Sequence, residues 1–291
     1  MSLRFKFNMI LLLASVLGLA IAGFVSYNLF HQHARAEVIE TASVMMDSAL
    51  AVRSYTVDEV RPLLNQVESD SFIPQTVPAY AARRYVRQLQ KKHPNFSYKE
   101  AALNPTNPAH RPADWEVDII EYFRNHEEQA ELTGNRDTAT GPVLYLSRPI
   151  KITNPGCLVC HDTPARAPKS LIESYGSNNG FGWKMNEIIG AQIVSVPTSL
   201  ALQRATREFY IFMGIMFAAF VVIGLILNSL LNRFVIKPVI NIASHADEVS
   251  MGTLDLPELH AEGKDEMSML ARSFNRMHRS LNGAMGILSG D

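Results

Sequence analysis

Cysteine is almost absent. The 291 residues hold two, Cys157 and Cys160, which excludes a multi-disulfide scaffold. There is no excess of one charge. A net charge of -1 offers no basic stripe of the kind that marks a nucleic-acid partner. A Gly-rich phosphate loop, a Gly-x-Ser-x-Gly elbow and a His-Glu-x-x-His pair are all missing. So are internal repeats and low-complexity tracts. No enzyme signature stands in the chain, and the expectation is a protein without catalytic activity.

Apolar residues, by contrast, make up 47% of the chain, and two uncharged runs concentrate them. The first is Met9 to Phe30 and the second Phe209 to Leu231. Each exceeds the roughly 20 residues a helix needs to cross a bilayer core. Arg4 and Lys6 precede the first run, and Arg233 and Lys237 follow the second. Cationic flanks mark the cytoplasmic side, so both termini are expected inside a bacterial inner membrane. Residues 31–208 are then expected in the periplasm. Arg204 and Arg207, outside the second span, weaken the asymmetry slightly. The Ala-Arg-Ala at 34–36 mimics a signal-peptidase site, but signal cores run only about 7–15 residues, which favours an uncleaved anchor.

The two cysteines stand in "NPGCLVCHDTP", residues 154 to 164, with His161 directly behind them. Cys-x-x-Cys-His is the attachment signature of c-type haem. Each thiol adds across one vinyl group, and the adjacent histidine becomes the proximal iron ligand. Zinc commonly takes two such pairs, and no other cysteine exists. A thioredoxin-like pair wants a βαβ context, whereas Pro and Gly around 154–157 predict a loop. A plain short-range disulfide stays open in an oxidising compartment. The expected cofactor is one covalent haem c per chain, on Cys157, Cys160 and His161.

The second axial position has no thiolate to fill it. Met45 and Met46 lie on the helical stretch "EVIETASVMMDSALAV" and are candidates, because methionine opposite histidine is a common pairing. Both also suit a core, where methionine fills gaps. Met185 is a further candidate, His93, His110 and His126 are weaker ones, and an open gas-binding position is the last option. Arg53, Tyr55, Tyr80, Arg83 and Lys184 are candidates to meet haem propionates, since cations and phenols suit carboxylates.

Elsewhere in the outer segment, "NPTNPAHRPADWE" (104–116) predicts an ordered loop and "DWEVDIIEYFRNH" a helix. Alternation predicts strands at Val143–Ile150 and Ala191–Val196. An α+β module on a small antiparallel sheet follows. Beyond the second span, Val239, Ile242, Ala246 and Val249 repeat at helical spacing. Met267, Leu270, Phe274, Met277, Leu281, Ala284 and Leu288 continue the rhythm past a linker with Gly252, Leu254 and Leu256. Two short seams of this kind bury both faces only as four helices from two chains, so a parallel homodimer is expected. The second seam runs almost to Asp291, with no kinase, phosphodiesterase, cyclase or methyl-accepting signature behind it. Either the output is another protein or the chain is a shortened gene product.

The segment Pro238 to Leu281 resembles a HAMP domain in "KPV" and "DEMSMLARSFNRM", with Pro238, Glu266, Leu270, Phe274, Asn275 and Met277 at the pattern positions. The outer segment resembles a family of c-type-haem, PAS-like periplasmic sensor domains of unknown function. The carrying stretches are "AVRSYTVDEVRPLL", "FIPQTVPAYAA", "YKEAALNPTNP", "CLVCH" and "YGSNNGFGWKMNEIIGAQIVSVP". That resemblance implies a PAS-like fold, haem on Cys157, Cys160 and His161, and coupling to histidine kinases, chemoreceptors or cyclic-nucleotide enzymes. The distal cysteine used by some members is lacking here. The expected plan is an inner N-terminus (1–8), a span (9–30), a sensor domain (31–208), a second span (209–231), a HAMP relay (232–285) and a tail (286–291). The expected function is a haem-based transmembrane sensor of redox state or a gas. The competing expectation is a membrane-anchored electron-transfer cytochrome.

Overall fold

The computed structural model describes residues 3–66, 72–253 and 255–289. Leu254 of the linker, the Leu288 side chain of the second seam and tail residues 290–291 lie outside the described residues. The chain divides into two compact units: Asn28–Glu208, and Met1–Tyr27 together with Phe209–Asp291.

Helix α1 (Leu3–Tyr55) runs 53 residues and contains the first apolar run. It gives way to a π-helical turn, Thr56–Val60, then to α2 (Arg61–Leu64). The change has a sequence cause. Pro62 has no N–H to donate to the turn before it, and its ring disfavours a regular α-turn there. The Ala-Arg-Ala at 34–36 lies inside α1. Next come a 3-10 turn (Pro74–Thr76), α3 (Pro78–Gln90), β1 (Ser97–Ala102), a second 3-10 turn (Pro108–His110) and α4 (Asp114–Asn125). Then follow β2 (Leu132–Thr138), β3 (Gly141–Lys151), a 3-10 turn at Pro155–Cys157, α5 (Leu158–His161), α6 (Lys169–Tyr175) and β4 (Ile188–Pro197).

The four strands form one antiparallel sheet in the order β1-β4-β3-β2. Both faces are covered. Leu144, Leu146, Val194 and Val196 pack against Val38, Ala42, Met45 and Met46 of α1. Ala101, Ala191 and Ile193, on the other face, pack against Ile119, Ile120 and Phe123 of α4. Double coverage explains why β4 is apolar on successive residues instead of alternating. Gly190 in β4 is required by close approach, because a Cβ there would collide with the carbonyl of Ala101.

In the second unit the two apolar stretches, in α1 and α7 (Ser199–Leu231), are long and apolar enough to cross a membrane. Leu12, Leu13, Leu17 and Phe24 in α1, and Phe217 and Leu225 in α7, are exposed, as lipid-facing side chains would be. Small residues let the two helices approach: Gly18 lies under Phe220 and Gly23 against Met213, and Tyr27 meets Phe209 edge-on at 5.6 Å. After α7 a second π-helical turn, Asn232–Ile236, precedes Pro238 in α8 (Lys237–Ser250), repeating the arrangement at Pro62. Val249, Leu259, Ala271 and Phe274 form the core between α8 and α9 (Glu266–Ser289). Leu270, Met277 and Leu281 of the second seam stay exposed in the single chain.

Candidate functional site

The Cys-x-x-Cys-His segment is more ordered than a loop. Asn154 caps its first turn by accepting from Gly156 N–H at 2.8 Å, and the motif then passes through a 3-10 turn into α5. Cys157 and Leu158 pack with Trp183 on a small cluster of Ala102, Ile152 and Ile189 at the end of the sheet. Both cysteines are free and half-buried. Among the described residues, no three His, Cys, Asp or Glu side chains converge on a point that a bare cation would occupy.

His161 is held from several directions. Its Nδ1 lies 2.7 Å from the carbonyl oxygen of Gly180. A carbonyl only accepts, so Nδ1 carries the proton and Nε2 presents its lone pair. Thr106 Oγ1 lies 3.4 Å from the same Nδ1. The indole of Trp183 stacks on the imidazole, with centroids 3.8 Å apart and planes 14° from parallel. Backbone bonds from Trp183 N–H to His161 O and from Gly182 N–H to Asp162 O close the loop onto the motif. Burial pushes the imidazole below its ordinary pKa, with the Gly180 bond opposing. Burial thus favours the neutral ring, the form in which an imidazole can ligate a metal.

The carbonyl that orients the ring is itself fixed. Asn104 Oδ1 accepts from Gly180 N–H at 3.0 Å, and Asn104 Nδ2 donates to Phe181 O at 3.3 Å. Gly180 has φ of +84°, and a Cβ there would collide with Thr106. The Asn-Pro-Thr of 104–106 and the Gly-Phe-Gly-Trp of 180–183 are one device, built from two loops.

Two arginines border the motif. Arg53 of α1 donates to Glu100 at 2.6 Å and lies within electrostatic reach of Cys157. Arg61 donates to Thr76 O at 3.1 Å. Its Nη1 lies 3.9 Å from the position a Cβ of Gly156 would take. The Cys160 thiol is raised above its ordinary pKa by burial, against the pull of Arg61. Arg61 was not singled out in the sequence. Its only signal is its place two turns beyond Arg53, across the π-helical turn.

Other candidates fall elsewhere. Met45 and Met46 are enclosed in the cluster between α1 and the sheet, Met46 with no exposure at all. That cluster is distinct from the one that seats Cys157. Tyr55 and Met185 are exposed. His110 meets Glu100 O at 2.7 Å, His126 meets Tyr122 O at 2.9 Å and His93 stacks on Phe96. Tyr80 sits under Arg84, Lys184 is exposed, and Arg83 lines a separate cavity. Arg53 is the candidate that lies beside the motif, and Lys184 and Met185 follow directly on the Trp183 that stacks on His161.

The family model for Tll0287-like domains (Tll0287) matches residues 31–197, more than half of the chain. The chain belongs to the Tll0287-like family. Its Tll0287-like domain is followed by a HAMP domain, whose family model matches residues 230–283. A solved structure described as the crystal structure of the cyanobacterial heme-protein Tll0287 is similar at 17% identity and a TM-score of 0.44, over 55% of this chain and 95% of that one. No curated protein matches the chain. A Tll0287-like domain, two membrane-length helices and a HAMP domain in one chain make up a membrane signal-transducing sensor.

Proposed function

We propose that this receptor is a haem-based sensor, with one haem attached covalently through Cys157 and Cys160 and His161 Nε2 as its axial ligand. The observation that carries this reading is the bond from His161 Nδ1–H to Gly180 O. A backbone acceptor behind the ring fixes the tautomer and raises the basicity of the nitrogen that faces a metal. The residues present fit the group: two unpaired thiols at the required spacing, and a neutral imidazole stacked on Trp183. Arg53 and Arg61 supply cationic partners for propionates. When bound, such a haem supplies an iron whose oxidation state or sixth ligand changes with the surroundings.

In this reading residues 31–208 face the periplasm and the termini lie in the cytoplasm, following the cationic flanks. α1 contains both the first span and the residues Val38 to Met46 that cover the sheet. Arg53 of the same helix borders the motif, so a change of packing there acts on a helix that also enters the membrane. The HAMP helices pair with a second copy of the chain, and the exposed Leu270, Met277 and Leu281 are the surface they use. Two packings of that bundle carry the signal, one favoured by each state of the haem. The output is a histidine kinase, a chemoreceptor or a cyclic-nucleotide enzyme. An electron-transfer cytochrome would have no use for a HAMP relay, which weighs for the sensor.

The test is a pyridine haemochrome of the denatured polypeptide after expression with a cytochrome c maturation system. Covalent haem is expected in the wild type and is expected to be lost in Cys157→Ser/Cys160→Ser. A wild-type chain without the signal ends the haem reading. Reduced-minus-oxidised spectra with and without carbon monoxide then report whether the sixth position opens.

A further inference from the structure

A cavity of about 350 Å³ lies along the free edge of the sheet, between β1 and helix α3. None of Cys157, Cys160 and His161 lines it. Its volume falls within the range of small-molecule sites. Helix α3 turns Arg83 and Arg87 toward it, four residues apart and on one face. Trp115, Val86 and Ile193 give the same cavity an apolar side.

The charge balance decides what such a space accepts. The acidic residues of the lining are Glu100 and Glu116, and both are engaged. Glu100 accepts from Arg53 at 2.6 Å and from Tyr98 at 2.7 Å. Glu116 accepts from Lys99 at 2.5 Å and from Ala113 N–H at 2.7 Å. Lys99 is likewise spent on Glu116. Arg83 and Arg87 remain. Among the described residues neither has a hydrogen-bond or ion-pair partner, although the neighbouring Arg84 lies over Tyr80. Two unspent guanidinium forks on one wall favour two carboxylates, because Arg recognises carboxylate in a bidentate fashion. Trp115 of α4 and Ile193 of β4 add apolar surface from outside α3, which favours a flat or hydrocarbon body between the charges.

We propose that this cavity is a binding site for a small organic dicarboxylate with an apolar body, held by Arg83 and Arg87 and packed against Trp115. The site gives the domain a chemical input separate from the Cys-x-x-Cys-His motif, and it stands whether or not that motif carries haem.

The experiment is calorimetric titration of the full chain in lipid nanodiscs with phthalate, and with phthalamide as its uncharged counterpart. Saturable binding of phthalate is expected, with phthalamide weaker by at least about tenfold. Arg83→Gln/Arg87→Gln is expected to weaken phthalate by a similar factor, and Arg84→Gln to leave it unchanged. Absence of saturable phthalate binding overturns the proposal, as does equal binding of phthalamide. Binding to a folded Arg83→Gln/Arg87→Gln chain at wild-type strength overturns it as well. Should the double variant fail to fold, the phthalate–phthalamide contrast on the unaltered chain still decides.

Discussion

His161 Nδ1 and the carbonyl oxygen of Gly180 are 2.7 Å apart, and the backbone that aims this carbonyl is one that only glycine adopts comfortably. With φ at +84° and Thr106 where a Cβ would go, Gly180→Ala pays a left-handed penalty of about 1–2 kcal/mol and must also displace Thr106. The substitution is expected to lower the melting temperature of the domain. If the proposed haem is held by His161, the substitution is also expected to raise its reduction potential, since a histidine that loses its acceptor becomes a poorer donor to iron. The haemochrome yield, which reports the thioethers, should persist. An unchanged melting curve and potential would remove Gly180 from the support of His161.

The clamp behind His161 shows where sequence reading stopped. Cys157, Cys160 and His161 stand together in the sequence, so their proximity is legible from spacing alone. Asn104, Thr106 and Trp183 were not, because they reach the histidine only when two distant loops fold together. The sheet divides in the same way. β3 and β4 announce themselves by β-branched and apolar runs, whereas β1 ("SYKEAA") and β2 ("LTGNRDT") carry residues that strands disfavour. Both are edge strands, held by pairing to β4 and β3, and pairing is not written in local composition. Met45 and Met46 combine the right chemistry for a ligand with the right burial for a core, and the structure puts both in the core.

The Arg53–Glu100 pair couples the motif to the sheet, and its worth depends on which partner is removed. Glu100 is 6% exposed. Taking away Arg53 alone leaves a buried carboxylate without its counter-charge, which typically costs about 3–5 kcal/mol. Arg53→Met is therefore expected to lower the urea midpoint strongly, and Arg53→Met/Glu100→Leu to recover much of the loss. By comparison, Arg148→Met loses bonds to Asp47 at 2.6 Å and Glu131 at 2.9 Å, both of which solvent reaches. Pairs of that kind are worth about 1 kcal/mol or less. If the double variant is as unstable as Arg53→Met, the cost lies in packing and not in the orphaned charge.

Tyr98 sets an alkaline limit on the same network. Burial first, and then the Glu100 charge, push its hydroxyl far above the ordinary value of 10.0, with Arg53 opposing. Above that ordinary value the unfolded chain releases the proton and the folded chain keeps it. Stability is thus intact below pH 10 and falls as pH rises beyond it. Urea midpoints at about pH 8 and about pH 11 should drop more in the wild type than in Tyr98→Phe. The variant itself should sit lower at the milder pH by about 1 kcal/mol, for the lost bond to Glu100. Equal alkaline losses in the two proteins would show that the network does not hold the proton on Tyr98.

In the HAMP domain, Asn275 bonds both backbone groups of Leu259: its Oδ1 accepts from the N–H at 3.0 Å and its Nδ2 donates to the C=O at 2.8 Å. Asn275 is 5% exposed and Leu259 is 7% exposed, so water does not readily replace either bond. Asn275→Ala orphans two backbone groups at about 1–3 kcal/mol each, and the cost falls on the linker that Leu259 anchors against Phe274. Amide hydrogen exchange at Leu259 is expected to accelerate markedly in Asn275→Ala, with the exchange of β4 amides unchanged. Asn275→Asp keeps the acceptor but turns a second oxygen toward the Leu259 carbonyl, so it should exchange faster than the wild type rather than substitute for it. Wild-type protection of Leu259 in Asn275→Ala would mean that apolar packing alone seats the linker.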